Sequence, residues 1–201
     1  MAKAKLKPSG TQVWAVRYMI NEKMPASDFN CYTLPLGWDW YRVAHERLLE
    51  VSEYSGWKMP DLAALMGVLS PRVTVDRNWQ YLEHFLDTHE LHPWVMSSVR
   101  ASAERLFPHL GKGHSLETLE SLAGSRRAVK VWPFASNILY AGEDDRVTVD
   151  TWVHKFFGLP EKLRVTTRRA VQQGIQEEGY RRGFFPAQLQ AALWTVQRGR
   201  V

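Results

Sequence analysis

Helical periodicity constrains this chain more than any other feature of its sequence. From Asp39 to the C-terminus, apolar residues recur every three or four positions, between residues that start or stop helices. Asp39 is predicted to cap a helix over Trp40–Ser55, and Gly56 to end it. Further helices are predicted over residues 61–69, 74–87, 93–107, 115–122, 133–142, 148–157, 166–178 and 186–198. Without a strand ladder, this pattern predicts an all-α, compact multi-helix bundle.

The first 38 residues are less regular than the remainder. Three prolines and two glycines interrupt them, and only residues 11–19 are apolar enough for a short strand or an ordered arm. We therefore expect an irregular N-terminal arm over residues 1–38, followed by a single all-α domain over residues 39–201.

Composition excludes several classes of protein. With 45% hydrophobic and 23% charged residues in a 201-residue chain, a largely disordered protein is excluded. The single cysteine, Cys31, excludes a disulfide framework and a cysteine-ligated iron–sulfur cluster within the chain. The spacing of His84, His89 and His92 does not favour a metal site, and no cofactor is predicted. No apolar run approaches the roughly 18 residues of a membrane span, so we expect no membrane segment and a protein of the cytoplasm. We also expect the protein to be a monomer.

Positive charge is concentrated towards the C-terminus. The formal net charge is +5, but residues 121–201 carry thirteen basic and seven acidic residues, a net of +6. Many of these basic residues are adjacent in sequence, among them Arg126-Arg127 and Arg168-Arg169. Clustered cations favour a surface that binds the phosphates of nucleic acid. The alternative is the solvated surface of a basic protein.

Residues 115–157 hold the most specific pattern. A short helix is followed by a basic turn, a second helix, an acidic turn and the sequence Val-Thr-Val-Asp-Thr-Trp. Thr148 is predicted to cap the last helix, which places Asp150 at its second position, where the helix dipole favours a carboxylate. His154 follows one turn later on the same face. The alternatives are an ordinary first-turn acid and a histidine that only pairs with it.

This order of elements resembles the helix-hairpin-helix DNA glycosylase superfamily, whose best-known members are endonuclease III-like. The resemblance rests on residues 119–124, 134–139 and 149–154, with an earlier helix over residues 64–73. It implies the fold of that superfamily and makes Asp150 the essential acidic residue of base excision.

Departures from the superfamily pattern shape what the resemblance implies. The superfamily's hairpin has a glycine-rich turn, of which only Gly124 is present here. Bifunctional members carry a catalytic lysine after the hairpin, and its position falls near residues 133–134 of this chain. A monofunctional mechanism with water as nucleophile is therefore implied. Arg126, Arg127 and Lys130 would hold the DNA backbone by charge, where other members use backbone amides. In its compact size and divergent turn, the chain is similar to phage-encoded members of the superfamily that act in DNA base modification.

Three further residues are candidates for a pocket that receives a base flipped out of the DNA. Trp132 and Trp152 flank the predicted site, and Asn137 belongs to the second helix of the motif. Core packing is the alternative for both tryptophans. Arg168 and Arg169 are candidate DNA contacts.

The sequence therefore predicts a DNA base-processing protein, a monofunctional glycosylase-like enzyme acting on an extruded base, either modified or unmodified. Two alternatives stay open. One is a transferase that completes a hypermodified pyrimidine in DNA. The other is a DNA-binding protein of the same fold without catalysis.

Overall fold

A computed structural model describes residues 8–26, 37–124 and 129–198 of the chain. These residues form ten α-helices and one 3₁₀ turn over Phe107–His109, and no strand, which confirms the predicted all-α class. The helices are α1 Gly10–Lys23, α2 Trp40–Ser55, α3 Met59–Leu69, α4 Val75–Thr88, α5 Ser97–Leu106, α6 Leu116–Ala123, α7 Val131–Leu139, α8 Thr151–Phe156, α9 Val165–Arg181 and α10 Pro186–Arg198.

Helix boundaries follow local capping chemistry where a cap was predicted. The bounds of α2 and α10 are those expected from sequence. The Thr74 hydroxyl accepts a hydrogen bond from the Arg77 amide and starts α4, and Ser115 starts α6 in the same way. Gly56 ends α2 with a positive φ of 74°.

Four predicted helices begin two or more residues from the predicted start. Helix α3 starts at Met59 rather than at residue 61, with Pro60 in its first turn. Helix α5 starts at Ser97 rather than at residue 93, because residues 93–96 turn before the helix begins. Helix α7 starts at Val131, two residues before Pro133; a proline is tolerated there because first-turn amides have no partner within the helix. Helix α8 starts at Thr151 rather than at residue 148, because Asp150 provides its cap.

The expected irregular N-terminal arm is wrong over residues 10–23, which form α1. Ser9 and Gln12 make a capping box, each side chain accepting a hydrogen bond from the other residue's backbone amide. Val13, Val16 and Ile20 form a buried stripe at helical spacing. The strand alternative for residues 11–19 is wrong for the same reason.

Packing divides the chain into two compact units, which are described separately. The terminal unit combines Met1–Tyr41 with Gly142–Val201, and the central unit is Arg42–Ala141. The predicted single domain over residues 39–201 stays a prediction.

In the terminal unit, α1 lies along α9 and runs in the same direction. Gly174 of α9 faces Val13 and Val16, and Arg17 pairs with Glu177 one turn further along both helices. Helix α10 packs on α8 and α9. The apolar core of this unit includes Ile20, Val147, Val149, Val153, Phe156, Val171, Ile175, Leu189 and Leu193.

In the central unit, α3 is the buried centre. Every residue of its stretch from Asp61 to Leu69 is buried, and α4, α5, α6 and α7 pack around it. Helix α7 approaches closely at Gly67, where a Cβ atom would lie 2.7 Å from the Val131 carbonyl oxygen. Residues 61–69, which were predicted to form a short helix, thus lie at the centre of the hydrophobic core of this unit.

Candidate functional site

Asp150 is the N-cap of α8. Its Oδ1 atom accepts hydrogen bonds from the backbone amides of Trp152, at 3.0 Å, and Val153, at 2.9 Å. The predicted position behind a Thr148 cap is therefore wrong by two residues. As the N-cap residue, Asp150 has a more firmly positioned side chain than predicted, because two hydrogen bonds fix one oxygen and hold the carboxylate at the positive end of the helix.

The pentapeptide Arg-Val-Thr-Val-Asp occurs twice, and the two copies start a helix in different ways. In the first copy, Thr74 caps α4 and Asp76 lies within its first turn. In the second copy, Thr148 is buried, and Asp150 caps α8 instead. The identical five residues therefore do not by themselves decide which residue caps the helix.

A stripe of α9 lines the segment that leads to Asp150. Gln176 donates a hydrogen bond to the Asp145 carbonyl oxygen at 2.8 Å, and Gln172 donates one to the Val147 carbonyl oxygen at 3.3 Å. The α9 residue that contacts the segment is thus one helical turn nearer the start of α9 at Val147 than at Asp145. Arg168 is the next residue of this stripe, one turn before Gln172. Gln172 and Gln176 thus hold the backbone that leads into Asp150.

The other predicted residues of α8 differ in exposure. Trp152 is half-buried, and the Lys155 Nζ atom lies 4.2 Å from the centre of its ring. His154 lies one turn after Asp150 as expected, but its side chain is buried. This burial favours the structural alternative for His154, and its catalytic role stays a prediction.

The remaining predicted site residues belong to the central unit, apart from Arg169, which lies on α9. Lys130 is the half-buried N-cap residue of α7. Trp132 and Asn137 are buried, which favours core packing for Trp132. Arg126 and Arg127 lie outside the described residues. The sequence thus places its candidates on both units, and a shared base pocket stays a prediction.

Net charge differs between the two units. The chain segments of the terminal unit contain fifteen basic and ten acidic residues, whereas the central unit contains eleven of each. The whole net charge of +5 therefore belongs to the terminal unit, which also holds Asp150 and the α9 stripe. This concentration of charge favours an anionic partner for that unit.

A charged network that was not predicted joins α1 to α9. Glu178 is fully buried and accepts hydrogen bonds from Arg181 Nε at 2.9 Å and Arg182 Nε at 2.7 Å, with Arg17 Nε at 3.5 Å. Burial acts to raise the pKa of Glu178, but the hydrogen bonds and charges of Arg181 and Arg182 outweigh it and lower the pKa to about 2. The spacing of Glu178 to both arginines was the available signal.

Asp61, at the start of α3, is a second buried acid that was not predicted. Its Oδ2 atom accepts a 3.3 Å hydrogen bond from the Gly111 amide, and Oδ1 has no partner among the described residues. Burial raises the pKa of Asp61, while the Gly111 amide and nearby His114 oppose the rise. The described residues contain no group of three or more His, Cys, Asp or Glu side chains arranged to hold a metal ion.

Comparison with known families shows which family the chain belongs to. A sequence profile of a family of unknown function, DUF7178, matches residues 32–201. The chain belongs to the DUF7178 family. No curated protein and no solved structure matches it significantly. Within the described residues of this DUF7178 member, no helix is both long and apolar enough to cross a lipid bilayer.

Proposed function

We propose that this protein processes bases in DNA, as a monofunctional glycosylase-like enzyme with Asp150 as its essential acid. The observation that carries the proposal is the Asp150 carboxylate at the start of α8, whose Oδ1 atom is fixed by two backbone amides. The motif resemblance independently assigns the essential role to the same residue.

The proposed reaction is hydrolysis of the bond between a base and its sugar. Water adds to C1′ of the extruded nucleotide, the C1′–N bond breaks, and its electron pair leaves with the base. The proton released by water passes to the departing base. Positive charge develops on the sugar as the bond breaks, and a carboxylate already oriented by two backbone amides stabilises it without further reorganisation.

Charge around Asp150 supports DNA as the substrate. A carboxylate alone would repel phosphates, so a DNA-processing site needs cations beside it. Arg168 and Arg169 lie in the N-terminal half of α9, within the unit that carries the whole net positive charge. Side-chain cations of this kind hold the backbone in position without reading its sequence.

The test is the single-turnover activity of the Asp150→Asn variant. Wild type is incubated with DNA duplexes that each carry one modified pyrimidine or purine, and abasic sites are detected by alkaline cleavage. Asparagine is an equally good N-cap, so the helix start is retained while the charge is removed. We expect the rate to fall by about 10²–10³-fold, the scale of removing one preorganised electrostatic group. DNA affinity should hold or increase.

The repeated pentapeptide provides a matched control. Asp76→Asn makes the same change in the same local sequence, at a first-turn acid of α4, and should leave the rate unchanged. Equal rates for wild type and Asp150→Asn would end the catalytic assignment. Mass spectrometry of nucleosides from the treated DNA separates the rivals: a transferase produces heavier nucleosides, and a binding protein changes none.

A further inference from the structure

A cluster of aromatic and basic side chains covers one face of α4 in the central unit. Arg77, Tyr81 and His84 follow one another at helical spacing along α4. Two side chains from the turn before α5, His92 and Trp94, lie on this stripe. With Arg100 of α5, these six residues are named the Trp94 cluster.

Ring contacts hold the turn in place on the stripe. The His92 ring stacks on Tyr81, with centroids 5.1 Å apart, and meets the edge of His84 at 4.9 Å. The Arg77 guanidinium lies 4.9 Å from the centre of the Trp94 ring, and Tyr81 donates a hydrogen bond to the Trp94 carbonyl oxygen. The cluster is therefore an ordered arrangement of side chains.

The two guanidinium groups lack carboxylate partners. In the part of the chain that the structure describes, Arg77 contacts the Trp94 ring, and Arg100 donates a hydrogen bond to the His92 carbonyl oxygen; neither forms an ion pair. By contrast, Arg47 also lies over a tryptophan but pairs with Glu83 at 2.9 Å. Among the described residues, the two guanidinium groups of the Trp94 cluster thus have no carboxylate within ion-pair distance.

Trp94 is the exposed centre of the cluster. Its relative solvent exposure is 68%, although tryptophan carries one of the largest apolar surfaces among side chains. An exposed flat ring beside uncompensated cations offers complementary contacts to one kind of ligand, which has a flat aromatic part and a negative charge. A nucleotide of a single strand has both, in its base and its phosphate.

We propose that the Trp94 cluster binds single-stranded DNA, with a base stacked on Trp94 and the adjoining phosphate held by Arg77 and Arg100. This inference deepens the proposed function, on which it rests for the choice of DNA. It assigns a binding surface to the α4 face of the central unit, where none of the site residues predicted from sequence lies.

The test measures binding of a fluorescein-labelled oligo(dT) of about 15 nucleotides by fluorescence anisotropy. Stacking of one base contributes about 1–3 kcal/mol, so Trp94→Ala should weaken binding roughly 5–150-fold. Trp14→Ala is the matched control, because Trp14 is 63% exposed but stacks on the uncharged Tyr18. Equal losses in the two variants, or no loss in Trp94→Ala, would overturn the proposal.

Two further variants separate stacking from charge and from unfolding. Arg77→Gln combined with Arg100→Gln should lower the slope of log affinity against log salt by up to about 1.4, at roughly 0.7 for each phosphate contact on a single strand. Trp94→Phe keeps an aromatic ring and should recover part of the affinity that Trp94→Ala loses. An unchanged salt slope, or Trp94→Phe as weak as Trp94→Ala, contradicts the proposal.

Histidine titration provides an independent readout. Burial and the positive charges of His84 and Arg77 lower the pKa of His92, and Arg100 adjoins it from α5. A bound phosphate would favour the protonated His92 ring, so affinity should rise as the pH falls from about 7.5 to 5.5. His92→Gln should abolish that rise, and an undiminished rise would remove the His92 imidazole from the site.

The outcome is separable from that of the catalytic proposal. Binding to oligo(dT) involves no bond cleavage, and Asp150→Asn leaves every residue of the Trp94 cluster in place. Loss of base excision in Asp150→Asn with unchanged oligo(dT) binding supports both proposals. Oligo(dT) binding that depends on Trp94, in a protein that excises no base, overturns the catalytic proposal alone.

Discussion

At the scale of single residues, buried charge is the costliest feature of this protein. Glu178 is removed from water, and only its arginine partners compensate for the lost hydration. Removing one member of such a group leaves the others buried without compensation, which costs more than losing an exposed ion pair. Glu177, the neighbouring acid, is 39% exposed, pairs with Arg17 and accepts a hydrogen bond from Gln173.

Glu178→Gln should therefore destabilise the protein strongly at neutral pH. The folded-state pKa of about 2 lies below the ordinary value of 4.5, so the carboxylate contributes stability above about pH 4.5. This contribution is of order 3 kcal/mol and is lost as the pH falls from 4.5 towards 2. Urea unfolding between pH 7 and pH 3 measures it. Glu177→Gln should cost under about 1 kcal/mol, and similar losses in both variants would contradict the network.

Residue-scale prediction succeeded where the deciding interactions are local. Thr74, Ser115 and Gly56 act as predicted, because caps and stops depend on neighbouring backbone groups. Asp150 was placed two residues wrong, because Val147 and Val149 are both buried in the segment before α8. That burial depends on the α9 stripe, which lies far along the sequence.

At the scale of elements, helix α1 was not predicted although its sequence contains local helix signals. Ser9-Gly-Thr-Gln12 matches a capping box, and the apolar spacing behind it is helical. Prolines and glycines nearby obscured this signal. The partner of α1 is about 160 residues away in sequence, so its docking on α9 was not predictable from the N-terminal segment.

Close contact between α1 and α9 depends on Gly174. A Cβ atom there would lie 2.4 Å from Val16 Cγ1, so Gly174→Ala should cost about 1–3 kcal/mol by overpacking, despite the better helix propensity of alanine. Faster amide hydrogen exchange in α1 should accompany the loss. Gly10→Ala has open space and should be neutral or slightly stabilising. Unchanged exchange in α1 would contradict this packing.

At the scale of the whole molecule, charge and topology coincide. The unit built from the two ends of the chain carries the net positive charge, and the central unit is neutral overall. The sequence indicated a basic C-terminal region. It did not indicate that the N-terminal segment joins it, because that grouping depends on the contact of α1 with α9.

Duplex DNA binding should reflect this division. Arg168→Gln with Arg169→Gln should lower the slope of log affinity against log salt by up to about 1.8, at roughly 0.9 for each phosphate contact. Arg42→Gln with Arg105→Gln removes the same charge from the central unit and should leave the slope unchanged. Equal changes in both double variants would show a diffuse charge effect rather than contacts made by α9.

The grouping of the chain ends also has a consequence during synthesis. The chain leaves the terminal unit after Tyr41 and returns at Gly142, whose Cβ position is 3.1 Å from Tyr41 Cβ. A ribosome completes the whole central unit before α9 exists. At about 5–20 residues per second, the apolar stripe of α1 waits roughly 8–30 s for its partner. Helix α1 is thus made well before it can be buried, and a chaperone would have access to it throughout that interval.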